Sequence, residues 1–298
     1  TWDEALDLIA AKIKEIKEKH GAEAIGCLVS TKNTNEDLYR AGKFFKEVVS
    51  SENVFHFEPA AYMGIPYEEI KEAATIVIAG ADLNRDNPVA SSYVKQAVKD
   101  GAKLIVVDKE DNELSKFAAV QLKTLAGLKK EIAGKTILIH APGYDVSSIE
   151  ESDELKKYSI SKENNTNGAY LLGITPMKDT ELKNFKFLYT MVQDIDVPKS
   201  VEFVVVQDSF PGECQAKADV VLPASVWVEY DGTYTGSDYR INRVRKAVEA
   251  PGEAKPAHEI FAALAGKMGQ KWQAKDGKAI WETEIIANLE QAKGAGYD

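Results

Sequence analysis

The chain has 298 residues, 44% hydrophobic and 28% charged, enough for one large α/β domain or two smaller ones and ordinary for a globular protein. Its 37 basic and 47 acidic residues leave a formal charge of −10, spread along the chain, which disfavours non-specific binding to nucleic acid or to an anionic membrane. No apolar run approaches the roughly 20 residues of a membrane span, and two cysteines, Cys27 and Cys214, are too few for an iron–sulfur cluster, which takes about four ligands.

Thr1-Trp2-Asp3-Glu4 is a capping box, followed by apolar residues at helical spacing (Leu6, Ile9, Ile13, Ile16) up to the stop at Lys19-His20-Gly21. This start is an amphipathic helix rather than a secretory leader. Because the chain opens at Thr1 and not Met, a processed chain, one excised from a longer protein, or a partial sequence is expected. Residues 24–30 (AIGCLVS) read as a buried strand and residues 36–49 as a helix. A second series follows: helix 68–74, strand 75–79, a helix from Asn87-Pro88 to Asp100, strand 103–107 and strand 135–140. Residues 146–165 are polar with weak periodicity and read as a short helix and a loop crossing between domains. The last third carries strands at 187–191, 203–206 and 220–222, a β-ribbon over 232–245, and helices near 256–268 and 279–292. Strands alternating with helices of this length predict βαβ units and parallel sheets.

In open parallel sheets, ligands sit outside the carboxyl ends of the strands. That rule selects Gly80, Asp108, the Ala141-Pro142-Gly143 turn, Gln193-Asp194 and Asp208. A carboxylate at a strand end can accept from a guanine or from ribose hydroxyls; it can equally cap the next helix or pair with a lysine. No G-x-G-x-x-G fingerprint follows a strand and no phosphate-binding G-x-x-x-x-G-K-[ST] loop occurs, which argues against NAD binding in the usual way and against ATP hydrolysis. The four histidines (His20, His56, His140, His258) lack metal-ligand spacing and read as surface or packing residues, and the two thiols as reduced cysteines of a cytoplasmic protein. Tyr239, Arg240, Arg243, Arg245 and Lys246 form a basic tail that either meets phosphates or balances nearby carboxylates.

Five collinear blocks resemble the molybdopterin oxidoreductase family. They are Thr1-Trp2-Asp3-Glu4-Ala5-Leu6; Thr34-Asn35-Glu36-Asp37-Leu38-Tyr39 with Lys43-Phe44; residues 73–108 with Asn87-Pro88-Val89; Asn167-Gly168-Ala169 with Gly173-Ile174-Thr175-Pro176; and residues 203–248, containing VVVQD, ADVVLP and DGTYT. The resemblance implies an α/β fold of two Rossmann-like parallel-sheet domains, one inserted in the other. Residues 1–57 and 154–298 would form the first and 58–153 the insert. It also implies a molybdopterin guanine dinucleotide held between the two domains of catalytic members, with Asp108 and Asp208 toward its guanines. Gly80, Asn167, Gly168, Thr175 and Thr233 would be further cofactor-binding positions, all seven in vestigial or weak form.

The departures from the family pattern shape the functional expectation. The loop from Asn53 to Tyr62 has no cysteine where catalytic members carry a metal ligand, and Glu58 is its one conceivable substitute. The family's G-E-N-P loop is replaced by Val192-Gln193-Asp194-Ile195-Asp196, and its F-T-N turn by Tyr234-Thr235-Gly236. The pattern resembles the degenerate domain in the large iron–sulfur subunit of NADH-quinone oxidoreductase (respiratory complex I) and in related NAD-linked hydrogenase and formate dehydrogenase subunits. On that resemblance the segment is a non-catalytic scaffold and docking part of a larger electron-transfer subunit. It would hold no metal or cofactor of its own, with iron–sulfur clusters in domains preceding Thr1. Its partners would be other subunits of an NAD-linked complex, with neither nucleic acid nor membrane insertion. The alternatives are the central part of a catalytic formate dehydrogenase-type subunit binding molybdopterin guanine dinucleotide, and a stand-alone nucleotide-binding module.

Overall fold

Thr1 starts the first helix as its spacing predicts: the hydroxyl accepts from the Glu4 amide and the Glu4 carboxylate takes the Thr1 ammonium at 2.9 Å. That helix, α1 (Trp2–His20), buries Leu6, Ile9, Ile13 and Ile16 along one stripe. The computed structural model describes residues 1–57, 64–160, 163–178, 181–289, 292–293 and 296–297.

In chain order α1 leads to β1 (Ile25–Val29), α2 (Asn35–Lys43), a π-helical turn (Phe44–Val49) and β2 (Val54–His56). Next come α3 (Tyr67–Lys71), β3 (Thr75–Ala79), α4 (Leu83–Asp86), α5 (Pro88–Lys99), β4 (Lys103–Val107), β5 (Val120–Leu122), β6 (Thr136–His140) and β7 (Leu155–Ser159). The chain continues through α6 (Thr166–Leu171), β8 (Thr175–Pro176), β9 (Phe187–Thr190), β10 (Phe203–Asp208) and β11 (Val220–Pro223). The hairpin β12 (Gly232–Thr235) and β13 (Ile241–Val244) precedes α7 (Ala257–Lys267) and α8 (Gly277–Ile280).

These elements form two units, each around a parallel sheet. The first comprises Thr1–Phe57, Gly168–Thr235 and Ile241–Asp298, and the second Glu58–Asn167 with Gly236–Arg240. The first unit's sheet runs β11-β10-β9-β1-β2-β8 with every pairing parallel. Both of its faces are buried, which is why its strands read as unbroken apolar runs. Cys27, Tyr189 and Val205 point into a core shared with α1, α2 and α7, where the Phe261 ring lies 5.1–6.2 Å from Tyr189, Phe44 and Phe45. Leu28, Leu188, Val204 and Val206 fill the other side with Phe185 and Cys214.

The second unit's sheet runs β5-β4-β3-β6-β7, again all parallel. Ile76, Ile78, Val106 and Ile139 pack on the α5 side against Val94, while Val77, Ile105 and Leu138 pack against Leu128 and Ile149. The α/β class of parallel-sheet, Rossmann-like domains expected from the strand–helix alternation is what the chain adopts.

One difference concerns the segment read as a loop crossing at 146–165. It contains β7, whose five residues pair with β6 throughout, from Thr136↔Leu155 to His140↔Ser159. The second unit therefore runs on to Asn167, where a return at residue 154 was expected. The sequence LKKYS hides this strand because it lies at the sheet's edge, where lysines are favoured and only Leu155, Tyr158 and Ser159 need burial. The expected helix 36–49 likewise ends its α geometry at Lys43 and finishes as the π turn, closed by Ser50 at φ 66. The helix expected near 279–292 is α8, a second π turn (Trp281–Ile285) and three further residues. Among the described residues no helix is long and apolar enough to cross a membrane.

Candidate functional site

The strand order decides where the first unit opens. From β1 the chain passes to β2 on one side, whereas β9 leads to β10 and β11 on the other. Divergent crossovers leave a crevice at the carboxyl ends of the two central strands. A cleft of about 620 Å³ lies there, walled by residues at or just beyond the ends of β1 (Ser30, Lys32), β9 (Gln193, Asp194), β10 (Asp208, Phe210) and β11 (Ser225, Trp227).

Asp208 ends β10 and is held firmly. Its Oδ1 accepts the Ser209 amide at 2.6 Å, the Phe210 amide at 3.1 Å and the Gln193 side-chain amide at 2.7 Å, while Oδ2 accepts none among the described residues. The loop that replaces G-E-N-P thus supplies Gln193 as the carboxylate's partner. A side chain at Gly212 would strike Gln193 at 2.7 Å, so the glycine keeps that arrangement open. Two buried polar atoms in the wall have no hydrogen-bond partner among the described residues, the Gln207 side-chain nitrogen and the Ser225 hydroxyl. Gln207 is 2% exposed and its oxygen already accepts the Tyr189 hydroxyl at 2.5 Å. A buried donor left unsatisfied costs about 1–3 kcal/mol, which a ligand acceptor would relieve. Phe210 and Trp227 are 62% and 53% exposed, flat apolar surfaces at the same cleft.

Beside the cleft lies a buried polar cluster on the first turn of α2. Asp37 accepts the Tyr230 hydroxyl at 2.6 Å, the Thr34 hydroxyl at 2.8 Å, and both the amide and ring Nδ1 of His258 at 2.8 Å. Burial alone would raise the Asp37 carboxyl, but the bonds and charge of His258 and the Tyr230 bond outweigh it and hold it below its ordinary value. His258 answers in kind: burial disfavours its charge, yet Asp37 raises it above the usual imidazole range. Neighbouring Glu36 accepts the Thr233 amide at 2.8 Å and hydroxyl at 2.9 Å; burial pushes its carboxyl up to about 7 against these bonds. Tyr230 lines the cleft, so the cluster reaches its wall there, and nearby Tyr234 donates to the carbonyl of Lys32 at 2.7 Å.

The expected site residues therefore part company. Asp208 lies in the cleft. Thr233 does not: it is 2% exposed, and its hydroxyl bonds Glu36 and Asn35. Thr175 sits exposed on β8, at the opposite edge of the sheet from β11. Asn167 is buried in the second unit, donating to the Gly236 carbonyl at 2.8 Å and accepting the Gly64 amide at 3.2 Å, and Gly168, the next residue of α6, is buried as well. Gly80 and Asp108 directly follow β3 and β4. Gly80 takes φ +60, and the space its missing Cβ would enter is filled by the Tyr144 ring. Asp108 caps its own turn through the Glu110 amide at 3.3 Å. Glu58 falls outside the described residues. Among the described residues no three His, Cys, Asp or Glu side chains gather as metal donors. Gln207, Ser225 and His258 were missed by the strand-end rule. Gln207 adjoins Asp208 in the sequence, but nothing local marks its nitrogen as unpaired.

A family model described as molybdopterin oxidoreductase matches residues 1–145 and 130–267. The F420-dependent formate dehydrogenase 2 subunit alpha of Methanococcus maripaludis is 25% identical over 439 aligned positions, covering 100% of this chain and 64% of that protein. The F420-dependent formate dehydrogenase subunit alpha of Methanocaldococcus jannaschii is 27% identical over 407 positions, covering 90% and 60%. The chain thus spans less than two thirds of these curated relatives. Since 439 positions exceed the chain's 298 residues, at least 141 positions of the first relative stand opposite gaps. Among solved structures, acetylene hydratase from Pelobacter acetylenicus superposes with a TM-score of 0.66 at 15% identity, over 94% of this chain and 60% of that one; this likeness concerns the fold.

Proposed function

This chain belongs to the molybdopterin oxidoreductase family, and from that premise we propose that it is the nucleotide-holding part of an oxidoreductase subunit of the formate dehydrogenase alpha kind. Its first-unit cleft takes the guanine end of a molybdopterin guanine dinucleotide. The observation that carries this reading is the pair of buried atoms, on Gln207 and Ser225, that have no hydrogen-bond partner among the described residues, beside a braced carboxylate in a cleft of about 620 Å³. The residues fit that end of the group. The open Asp208 Oδ2 would accept an N–H of the guanine edge, the Gln207 nitrogen would donate to a ligand acceptor, and Phe210 and Trp227 would offer faces to a planar base. When bound, the group would supply redox chemistry at its metal end, while these residues only bind and orient its nucleotide end.

The test is to purify the full-length protein from its native source and extract and quantify bound nucleotide. Asp208→Ala removes hydrogen bonds to a charged acceptor worth about 1.5–3 kcal/mol, hence roughly a tenfold to hundredfold loss of retention. Equal nucleotide content in wild type and variant would remove Asp208 from the site.

A second reading is the non-catalytic scaffold of an electron-transfer protein like the large iron–sulfur subunit of NADH-quinone oxidoreductase. The lack of cysteine anywhere between Asn53 and Tyr62, together with the 141 or more gap positions, favours it. Under that reading the partners are the other members of an NAD-linked complex, and stoichiometric molybdenum bound through this segment would rule it out.

A further inference from the structure

The Asp37–His258 cluster is larger than a helix cap requires. Thr34 alone completes the capping box of α2, with Asp37 at its third position. Yet Asp37 also takes two bonds from His258 on α7 and one from Tyr230, all three residues being less than 8% exposed. Tyr230 forms part of the cleft wall, and Tyr234 ties the same region to the Lys32 carbonyl in the loop after β1. The Tyr230 bond connects a charged pair in the interior to the cleft wall, and Tyr234, which feels the charge of Asp37 and Glu36, is bonded to the loop beside it.

We infer that Asp37 and His258 are positioning residues for the ligand of this cleft: their buried pair holds Tyr230, and with it the cleft wall, in the geometry that binds. This inference rests on the nucleotide reading of the cleft. Glu36 makes the arrangement proton-dependent. It adjoins Asp37 on α2, it ionises near pH 7, and its side chain is held by the amide and hydroxyl of Thr233. The charged and titratable groups facing the cluster are Glu259 with His258 on α7, Tyr230 on the segment entering β12, Tyr234 on β12 itself, and Tyr297 near the C-terminus. Across the cleft stand Lys32, Asp194 and Asp208. Below pH 6 the interior holds one carboxylate and one imidazolium. Above pH 8 it holds two adjacent carboxylates against at most one cation. Like charges buried side by side repel strongly, because little water screens them. The wall that Asp37 anchors loosens as this charge appears.

The experiment is calorimetric titration with guanosine, which has no phosphate to titrate, between pH 6 and 8.5. A coupling typical of linked sites predicts about fivefold weaker binding at pH 8.5 than at pH 6. Glu36→Gln should flatten that profile, and His258→Gln should weaken binding at both ends. A Glu36→Gln profile as steep as wild type would overturn the inference. A second arm needs no ligand: the ring resonance of Tyr230, assigned with Tyr230→Phe, should shift with a midpoint near pH 7 in wild type and stay still in Glu36→Gln. If guanosine binds at no pH, the nucleotide reading fails and the wall coupling stands or falls on that resonance alone.

Discussion

Replacing Glu36 by Gln should make the first unit more stable in base and leave it nearly unchanged in mild acid. Glu36 is 0% exposed, and burial raises its carboxyl from an ordinary 4.5 to about 7. A folded-state value above the unfolded one means that folding favours the protonated form. The associated stability is fully present below about pH 4.5 and is lost as pH rises through 7. The shift corresponds to about 3 kcal/mol that wild type has forfeited by pH 8.5. A glutamine cannot ionise, so it escapes this loss. Against that, its amide nitrogen replaces the oxygen that accepts the Thr233 hydroxyl, at a cost of about 1 kcal/mol. The net expectation is near equality at pH 5 and about 2 kcal/mol in the variant's favour at pH 8.5.

The assay follows from where the tryptophans lie. All four (Trp2, Trp227, Trp272 and Trp281) belong to the first unit, so tryptophan fluorescence in urea reports that unit's unfolding separately from the second's. Denaturation curves of both proteins at half-unit pH steps from 5 to 8.5 give the stability difference directly. A difference that stays the same from pH 5 to pH 8.5 would refute the argument, since it would mean that Glu36 does not titrate on folding.

Three further expectations use other parts of the structure. Gly80→Ala places a side chain at φ +60 and against the Tyr144 ring, costing the second unit about 2 kcal/mol or more; amide exchange in β3, β4 and β6 should accelerate while the tryptophan transition stays put. His258→Gln should destabilise the first unit most near pH 6 and progressively less above it. The raised imidazole contributes stability that is present below its ordinary 6.5 and lost as pH rises through its folded value, which the same urea series will show. Asp37 works in the opposite sense: its lowered carboxyl contributes stability above its ordinary 3.8 that disappears on acidification, so Asp37→Asn should flatten the acid limb of the wild-type stability curve.

The sheets were legible because parallel strands buried on both faces must be written in apolar residues. TIVIA, KLIVV, TILIH and FVVV each occupy such a position and each stands out from its surroundings. LKKYS escaped the same reading because its place at the sheet edge leaves Lys156 exposed and Lys157 only half-buried. The cleft was half legible for a related reason. A residue at a strand's carboxyl end can be found by counting along one segment, and that is how Asp208 was reached. Its brace, Gln193, comes from the loop after another strand, and that Gln207 and Ser225 lack partners among the described residues is a property of the whole wall, not of any one segment.

Thr233 shows the converse. It sits in a segment that resembles a cofactor-binding turn, yet its hydroxyl is spent on Glu36, 197 residues away in the chain. The Asp37–His258 bond spans 221 residues. Neither residue disturbs the pattern of its own helix: Asp37 reads as a capping acid on α2 and His258 as one more side chain on the apolar face of α7. Helical periodicity records which side of a helix is buried and nothing about which buried polar group will meet which. What local pattern does supply is a constraint. Two consecutive acids on the first turn of a helix whose following residues are buried need donors from elsewhere, because a buried carboxylate without partners is untenable. Glu36-Asp37 thus announced a demand for donors, and only the assembled unit reveals that Thr233, Tyr230 and His258 meet it.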